Sequence, residues 1–294
     1  MGRSLHLVLA LALILLANDA TAQETAAGAI EFWGALTVAP DGPEGSVTTS
    51  YSPPLLFDGD FTSTGSQTLA AHTNKAVGFT GGLDVFPTRH VGFQIAFDRS
   101  AFDVSGANTP YSLALQYVSI PPPGTVPEVF NVNRSTPWPD TSGSLTQIAV
   151  AFNAALRFGQ PGRISAVVSG GPTYYRFSGD LQPIGYTTFR LGGHSVLFQD
   201  DVRLALAAGP TNVLGFDAGG EVDIAVHRRL AIVAGYRYFG GPEADVSVRA
   251  AVIVNEDELI FQQPLADIAS RLALVPMRIS PSSSRVFVGL RVRP

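Results

Sequence analysis

Between residues 212 and 239 the chain reads NVLGFDAGGEVDIAVHRRLAIVAGYRYF, and its side chains alternate in character. Phe216, Ala218, Gly220, Val222, Ile224 and Val226 fall on one face of an extended chain, and Gly215, Asp217, Gly219, Glu221 and Asp223 on the other. After His227, Arg228 and Arg229 the alternation resumes, with Leu230, Ile232, Ala234, Tyr236 and Tyr238 opposed to Ala231, Val233, Gly235 and Arg237. A period of two marks a strand, because successive side chains of a pleated chain leave on opposite faces. Two such strands joined by a histidine and two arginines predict an antiparallel hairpin. The apolar row ends in tyrosines, while the other row sets acids against an arginine, as if the polar side were enclosed.

The same pattern recurs along the chain. It predicts strands over 28–38, 75–86, 91–98, 145–158, 164–177 and 285–293 besides the two of the hairpin. Residues 87–90, 160–163 and 227–229 are tight turns; residues 39–74, 100–144, 179–211 and 240–284 are long connections. Gly170, Gly171 and Pro172 predict a bulge or bend inside the fifth strand, whose faces therefore stay unassigned. Residues 111–120 are strand-like and read as a loop hairpin above the wall; counting that segment into the wall gives a ten-stranded alternative. Residues 246–254 and 258–261 are also β-like, and 265–274 has the pattern of a short helix. Eight strands with three tight turns and four long loops in strict alternation predict an all-β fold. The expectation is an eight-stranded antiparallel up-and-down transmembrane β-barrel with four long extracellular loops, both chain ends lying at the rim of short turns.

Composition sharpens this reading. Hydrophobic residues make up 46% of the 294 and charged ones only 15%, a balance suited to a wall whose outer surface meets lipid. Arg3, the apolar run 7–17 and Ala20-Thr21-Ala22 have the order of a secretory signal, so residues 1–22 are expected to be a signal peptide and 23–294 the barrel domain. Zero cysteines exclude a disulfide framework and a lipid-modified cysteine. A net charge of −5 leaves no basic stripe for phosphates, so no nucleic-acid partner is expected.

The signal sequence, the mid-strand pairs Gly170-Gly171 and Gly219-Gly220, the strand Gly235-Tyr236-Arg237-Tyr238-Phe239 and the final RVFVGLRVR together resemble the small outer-membrane β-barrels of Gram-negative bacteria, of the OmpA and OmpX kind. The resemblance spans nearly all of 23–294 and is one of pattern. It implies a place in the bacterial outer membrane, with lipid and lipopolysaccharide around the wall, the barrel-assembly machinery as inserting partner, and an unidentified ligand at the loops. Such proteins end in an aromatic residue that the machinery recognises, whereas this sequence ends Arg293-Pro294.

An eight-stranded interior is only wide enough to be filled by side chains. The inferred inward rows carry Glu31, Asp84, Asp98, Asp217, Glu221 and Asp223 against Arg157, Arg237 and Arg291. Buried charges must pair, so these nine are expected to form a salt-bridge network that plugs the lumen. Tyr236, Tyr238, Phe158 and Phe86 are placed in an aromatic girdle. His72, His90, His194 and His227 have no metal-ligand spacing, and His194-Ser195, neighbours on opposite faces of a strand, make a poor acyl-transfer pair. No catalytic, cofactor or metal residue is therefore assigned, and the protein is expected not to be an enzyme. The role expected is structural or interactive. The alternatives are a narrow porin-like channel, a secreted lipocalin-like binder with its apolar rows turned inward, and a lipid A deacylase.

Overall fold

The computed structural model describes residues 29–43, 45–51, 61–106, 111–118, 122–126, 128–136, 141–159, 163–192, 195–255 and 272–294. In chain order its strands are β1 (Ala29–Ala39), β2 (Gly45–Tyr51), β3 (Phe61–Phe86), β4 (Val91–Gly106) and β5 (Tyr111–Val118). Then follow β6 (Val129–Thr136), β7 (Thr141–Gly159), β8 (Ile164–Gly192), β9 (Ser195–His227) and β10 (Leu230–Gly240). The last are β11 (Ala244–Val246), β12 (Val248–Asn255), β13 (Leu272–Leu274), β14 (Met277–Ile279) and β15 (Ser283–Val292).

Eight of these form a closed antiparallel ring in the order β1, β15, β10, β9, β8, β7, β4, β3, with β3 paired back to β1. Closure leaves the wall no edge, so its backbone donors and acceptors are paired from strand to strand. The stagger can be followed along one row of paired residues: Val91, Leu156, Val168, Gly220, Tyr236, Val286, Val38, Val77 and Ala101. A full circuit starts at Val91 of β4 and returns to it at Ala101, ten residues higher. That shift tilts the strands by roughly 40° to the barrel axis.

Side-chain direction follows the period of two. Phe216, Ile232 and Leu290 are 50%, 43% and 39% exposed on the outer face, whereas Glu221, Arg237 and Arg291 are 4%, 3% and 0% exposed inside. The apolar rows thus face outward, the opposite of a lipocalin-like barrel. No helix among the described residues is long and apolar enough to cross a membrane, and the crossing elements are the strands.

Several expectations need correction. The wall strands run well past their predicted ends: β8 and β9 stay paired as far as Gly192 and Ser195, so the connection expected over 179–211 is largely a hairpin extension. Hydrogen bonding between two long strands costs little once register is set, and Gly/Pro/Ser/Thr-rich sequence hides it. No register shift marks Gly170-Gly171-Pro172, since β8 stays paired with β9 through those residues, but its ladder to β7 skips Gly171 and Pro172, so the irregularity expected there is a gap in pairing and not a bulge. The glycines serve close approach instead, because a Cβ at Gly171 would lie 2.1 Å from the Phe152 carbonyl oxygen. Register shifts lie further up, the first between Phe177 and Gly179 of β8, opposite Gly209 of β9, whose φ of 76° favours glycine, and two more between Leu181 and Ile184 and between Arg190 and Leu191. Residues 272–274, expected to end a helix, form β13 on β2, and the rest of that stretch lies outside the described residues. The segment 111–118 pairs with β3 and β6 and stays off the ring, so the wall has eight strands and not ten. The predicted signal peptide and His194 lie outside the described residues.

Candidate functional site

The interior of the ring is filled in layers. Nearest the short turns lies an ionic layer centred on Arg291 of β15. Its guanidinium pairs with Glu221 and Asp223 of β9, with Asp84 of β3 at 2.8 Å and with Glu31 of β1 at 3.7 Å. Arg157 of β7 reaches Glu31 at 2.5 Å, and its guanidinium carbon sits 3.6 Å above the Phe86 ring. Arg293, just past β15, donates to the other oxygen of Glu31 at 3.2 Å and pairs with Asp223 at 3.4 Å.

Above this layer the lumen is crossed by hydrophobic side chains and amides. Trp33 and Phe287 stack with ring centres 5.6 Å apart, among Ala35, Ala96, Ala151 and Val233. Beside them Arg237 donates to Gln94 at 2.6 Å and pairs with Asp217 at 3.4 Å. Asp217 also accepts from Thr173 at 3.0 Å and from Asn153 at 3.1 Å. A third ionic group follows: Arg285 pairs with Asp98 at 3.6 Å and donates to Ser100 at 3.2 Å and Gln147 at 3.1 Å. The arginine lies 5.0 Å from the centre of the Phe102 ring and 5.3 Å from that of Phe239.

The loop end is closed by a second core. Phe102, Leu145, Tyr175, Phe177, Leu181, Leu206 and Phe239 of the wall strands pack with Val246 of β11 and Met277 and Ile279 of β14. Two strands of the fourth long loop are thereby folded inward across the opening. The Tyr175 hydroxyl donates to the Phe216 carbonyl at 2.6 Å, which satisfies the one polar end in that core.

All nine residues expected in the lumen are buried there, and each takes part in an ion pair. Arg285 and Arg293 join the same set beyond the nine expected, and both continue the inward alternation of RVFVGLRVR. The buried charges among the described residues are thus six carboxylates and five guanidiniums. Phe86 does not join the girdle: it is 1% exposed and lies inside beneath Arg157, because it shares parity with Asp84 on β3. Tyr236, Tyr238 and Phe158 face outward as expected. Among the described residues no group of three or more His, Cys, Asp or Glu side chains could hold a metal ion. His90 and His227 lie exposed at the short turns, and the His90 ring approaches the Arg157 carbonyl at 3.1 Å.

Neither a known protein family nor a characterised protein matches the sequence. Among solved structures the chain is similar to the outer membrane protein OprG from Pseudomonas aeruginosa, at 8% identity over 93% of this chain and 99% of that one, with a TM-score of 0.46. It is also similar to the outer membrane protease OmpT from Escherichia coli, at 8% identity over 93% and 99%, with a TM-score of 0.36. Neisserial surface protein A is a third, at 13% identity over 90% and 97%, with a TM-score of 0.33. At such scores the likeness adds no weight of its own. The closed ring, the apolar outer rows and the ionic lumen by themselves make this chain a transmembrane β-barrel of the bacterial outer-membrane kind.

Proposed function

We propose that the protein is a non-conducting outer-membrane barrel whose work is done at its surfaces. The wall holds it in lipid and lipopolysaccharide, after insertion by the barrel-assembly machinery, and the loop side meets a partner or ligand. The observation that carries this reading is the filled lumen, three ionic groups in series under an apolar closure. Opening a water path would require breaking the ion pairs that hold Arg291 and Arg285 and displacing the rings packed beside Arg285. The loop side offers more than mobile coil: β12 adds to the extension of β9, and β2, β13, β14 and β11 pair above the ring. This builds a β-structured platform for binding. The reading assigns the protein no catalytic step.

Single-channel recording in planar bilayers tests it. Protein whose fold is verified by heat-modifiable gel mobility is expected to give no steady conductance. Reproducible stepwise currents from the wild-type chain would instead establish the channel reading.

A further inference from the structure

The lipid-facing wall carries two arginines that neither the lumen nor the loop core uses. We infer that Arg99 of β4 and Arg176 of β8 together bind the phosphate group of a lipid in the leaflet on the loop side, an inference that rests on the membrane reading above. Both side chains are exposed on the outer face. Arg99 pairs in register with Ile148 of β7, and Ile148 pairs with Arg176, so the two arginines flank one isoleucine on a single row. Two strand spacings separate their backbones by roughly 10 Å. Guanidiniums on stems of that length can converge on one phosphate, which they grip by charge-assisted, paired hydrogen bonds.

Their position along the strands makes the same point. On β4 every outward residue from Val91 to Phe97 is uncharged, and on β8 every one from Ile164 to Tyr174. Each arginine is therefore the first charge its strand presents outward above the short turns, and each directly follows an outward aromatic. Phe97 and Tyr174 themselves flank Val150 on the row below. An arginine on the lipid face costs about 2–4 kcal/mol at the bilayer midplane and about 0–1 near the interface. Two of them just past an aromatic pair, on a row inclined to the membrane plane by the strand tilt, mark the zone where hydrocarbon gives way to headgroups. Among the described residues neither makes an ion pair or hydrogen bond through its side chain. The next outward carboxylates on these strands, Asp103 and Asp180, stand four residues on, roughly 13 Å away along the strand. The pair thus faces the headgroup level with its charge unspent. Ile148 is half-buried between them, as expected if the arginine stems lie over it.

The test is native mass spectrometry of the folded full chain in detergent, titrated with diphosphoryl lipid A and with the same lipid stripped of its phosphates. Wild-type protein is expected to retain the phosphorylated lipid selectively, and the Arg99→Gln/Arg176→Gln variant to bind it about tenfold more weakly or worse. Arg228→Gln/Arg229→Gln, with the same change of charge at the turn rim, is expected to bind as wild type. The single variants Arg99→Gln and Arg176→Gln each give an intermediate loss and stand in should the double variant not fold. Equal binding by wild type and the Arg99/Arg176 variants, equal loss in the turn-rim variant, or displacement of the lipid by millimolar inorganic phosphate would overturn the site. A folded, heat-modifiable protein with that negative result leaves the barrel reading intact, whereas loss of heat-modifiability in the wild type would remove the barrel itself.

Discussion

Arg291 is fully buried where four carboxylates from three strands converge, so its charge holds together side chains that would otherwise repel in a low-dielectric space. Replacing it by Gln leaves those acids facing one another with only Arg157 and Arg293 at hand. Arg291→Gln is therefore expected to destabilise the barrel by about 3–5 kcal/mol, read as a lowered urea midpoint in lipid vesicles. Arg278 also pairs with an acid, Asp245 at 3.5 Å, but both side chains are mostly exposed. Arg278→Gln is expected to cost about 0–1 kcal/mol in the same assay, and equal effects of the two changes would contradict the layered picture. The inward acids could be read from the sequence because each sits on a stretch of strand whose other face is apolar over several residues. Their individual partners could not, since Glu31 meets Arg157 of β7 across the lumen and Arg293 beside it past the end of β15, and only the closure and stagger of the ring bring these together. Arg285 opens the last strand directly after a serine-rich connection, where an arginine fits a loop end as well as an inward row, and Phe86, an aromatic near a strand end, fits a girdle unless its parity with Asp84 is followed.

At the scale of the strand, the seam between β1 and β15 is where the first and last wall elements close the ring. A Cβ at Gly289 of β15 would lie 2.0 Å from the Gly34 carbonyl oxygen and 2.4 Å from the Ala35 Cα, both backbone atoms that cannot step aside cheaply. Gly289→Ala is expected to cost about 1–3 kcal/mol and to deplete the heat-modifiable band. At Gly220 of β9 the nearest atom to a Cβ is 3.9 Å away. Gly220→Ala is thus expected to be neutral or stabilising by about 0.4–1 kcal/mol, since it removes only freedom of the unfolded chain. Similar losses in both variants would argue against the β1–β15 closure. The wall strands were legible wherever one face meets lipid, because a one-sided apolar environment forces strict alternation. Beyond the membrane that constraint lapses. The upper parts of β3, β8 and β9 and the short strands β11, β13 and β14 carry mixed sequence, and their existence depends on pairing with neighbours distant in the chain.

For the whole molecule, stability and location follow from a single inversion: apolar side chains outside, ionic ones within. The outward rows of the eight wall strands meet hydrocarbon, and the inward rows exclude both lipid and bulk water. The complete lack of cysteine in the sequence allows that inversion to be read directly. Single-cysteine variants made in turn along β9 and β10, from Asp217 to Ile224 and from Ala231 to Tyr238, carry a fluorescent label in reconstituted vesicles and are quenched by brominated lipid chains. The account predicts quenching that alternates with a period of two, strong at Val222, Ile224, Ile232 and Tyr236 and weak at Glu221, Asp223, Val233 and Arg237. Quenching in the opposite phase, or labels at Val222 and Ile232 reached only by aqueous quenchers, would contradict it.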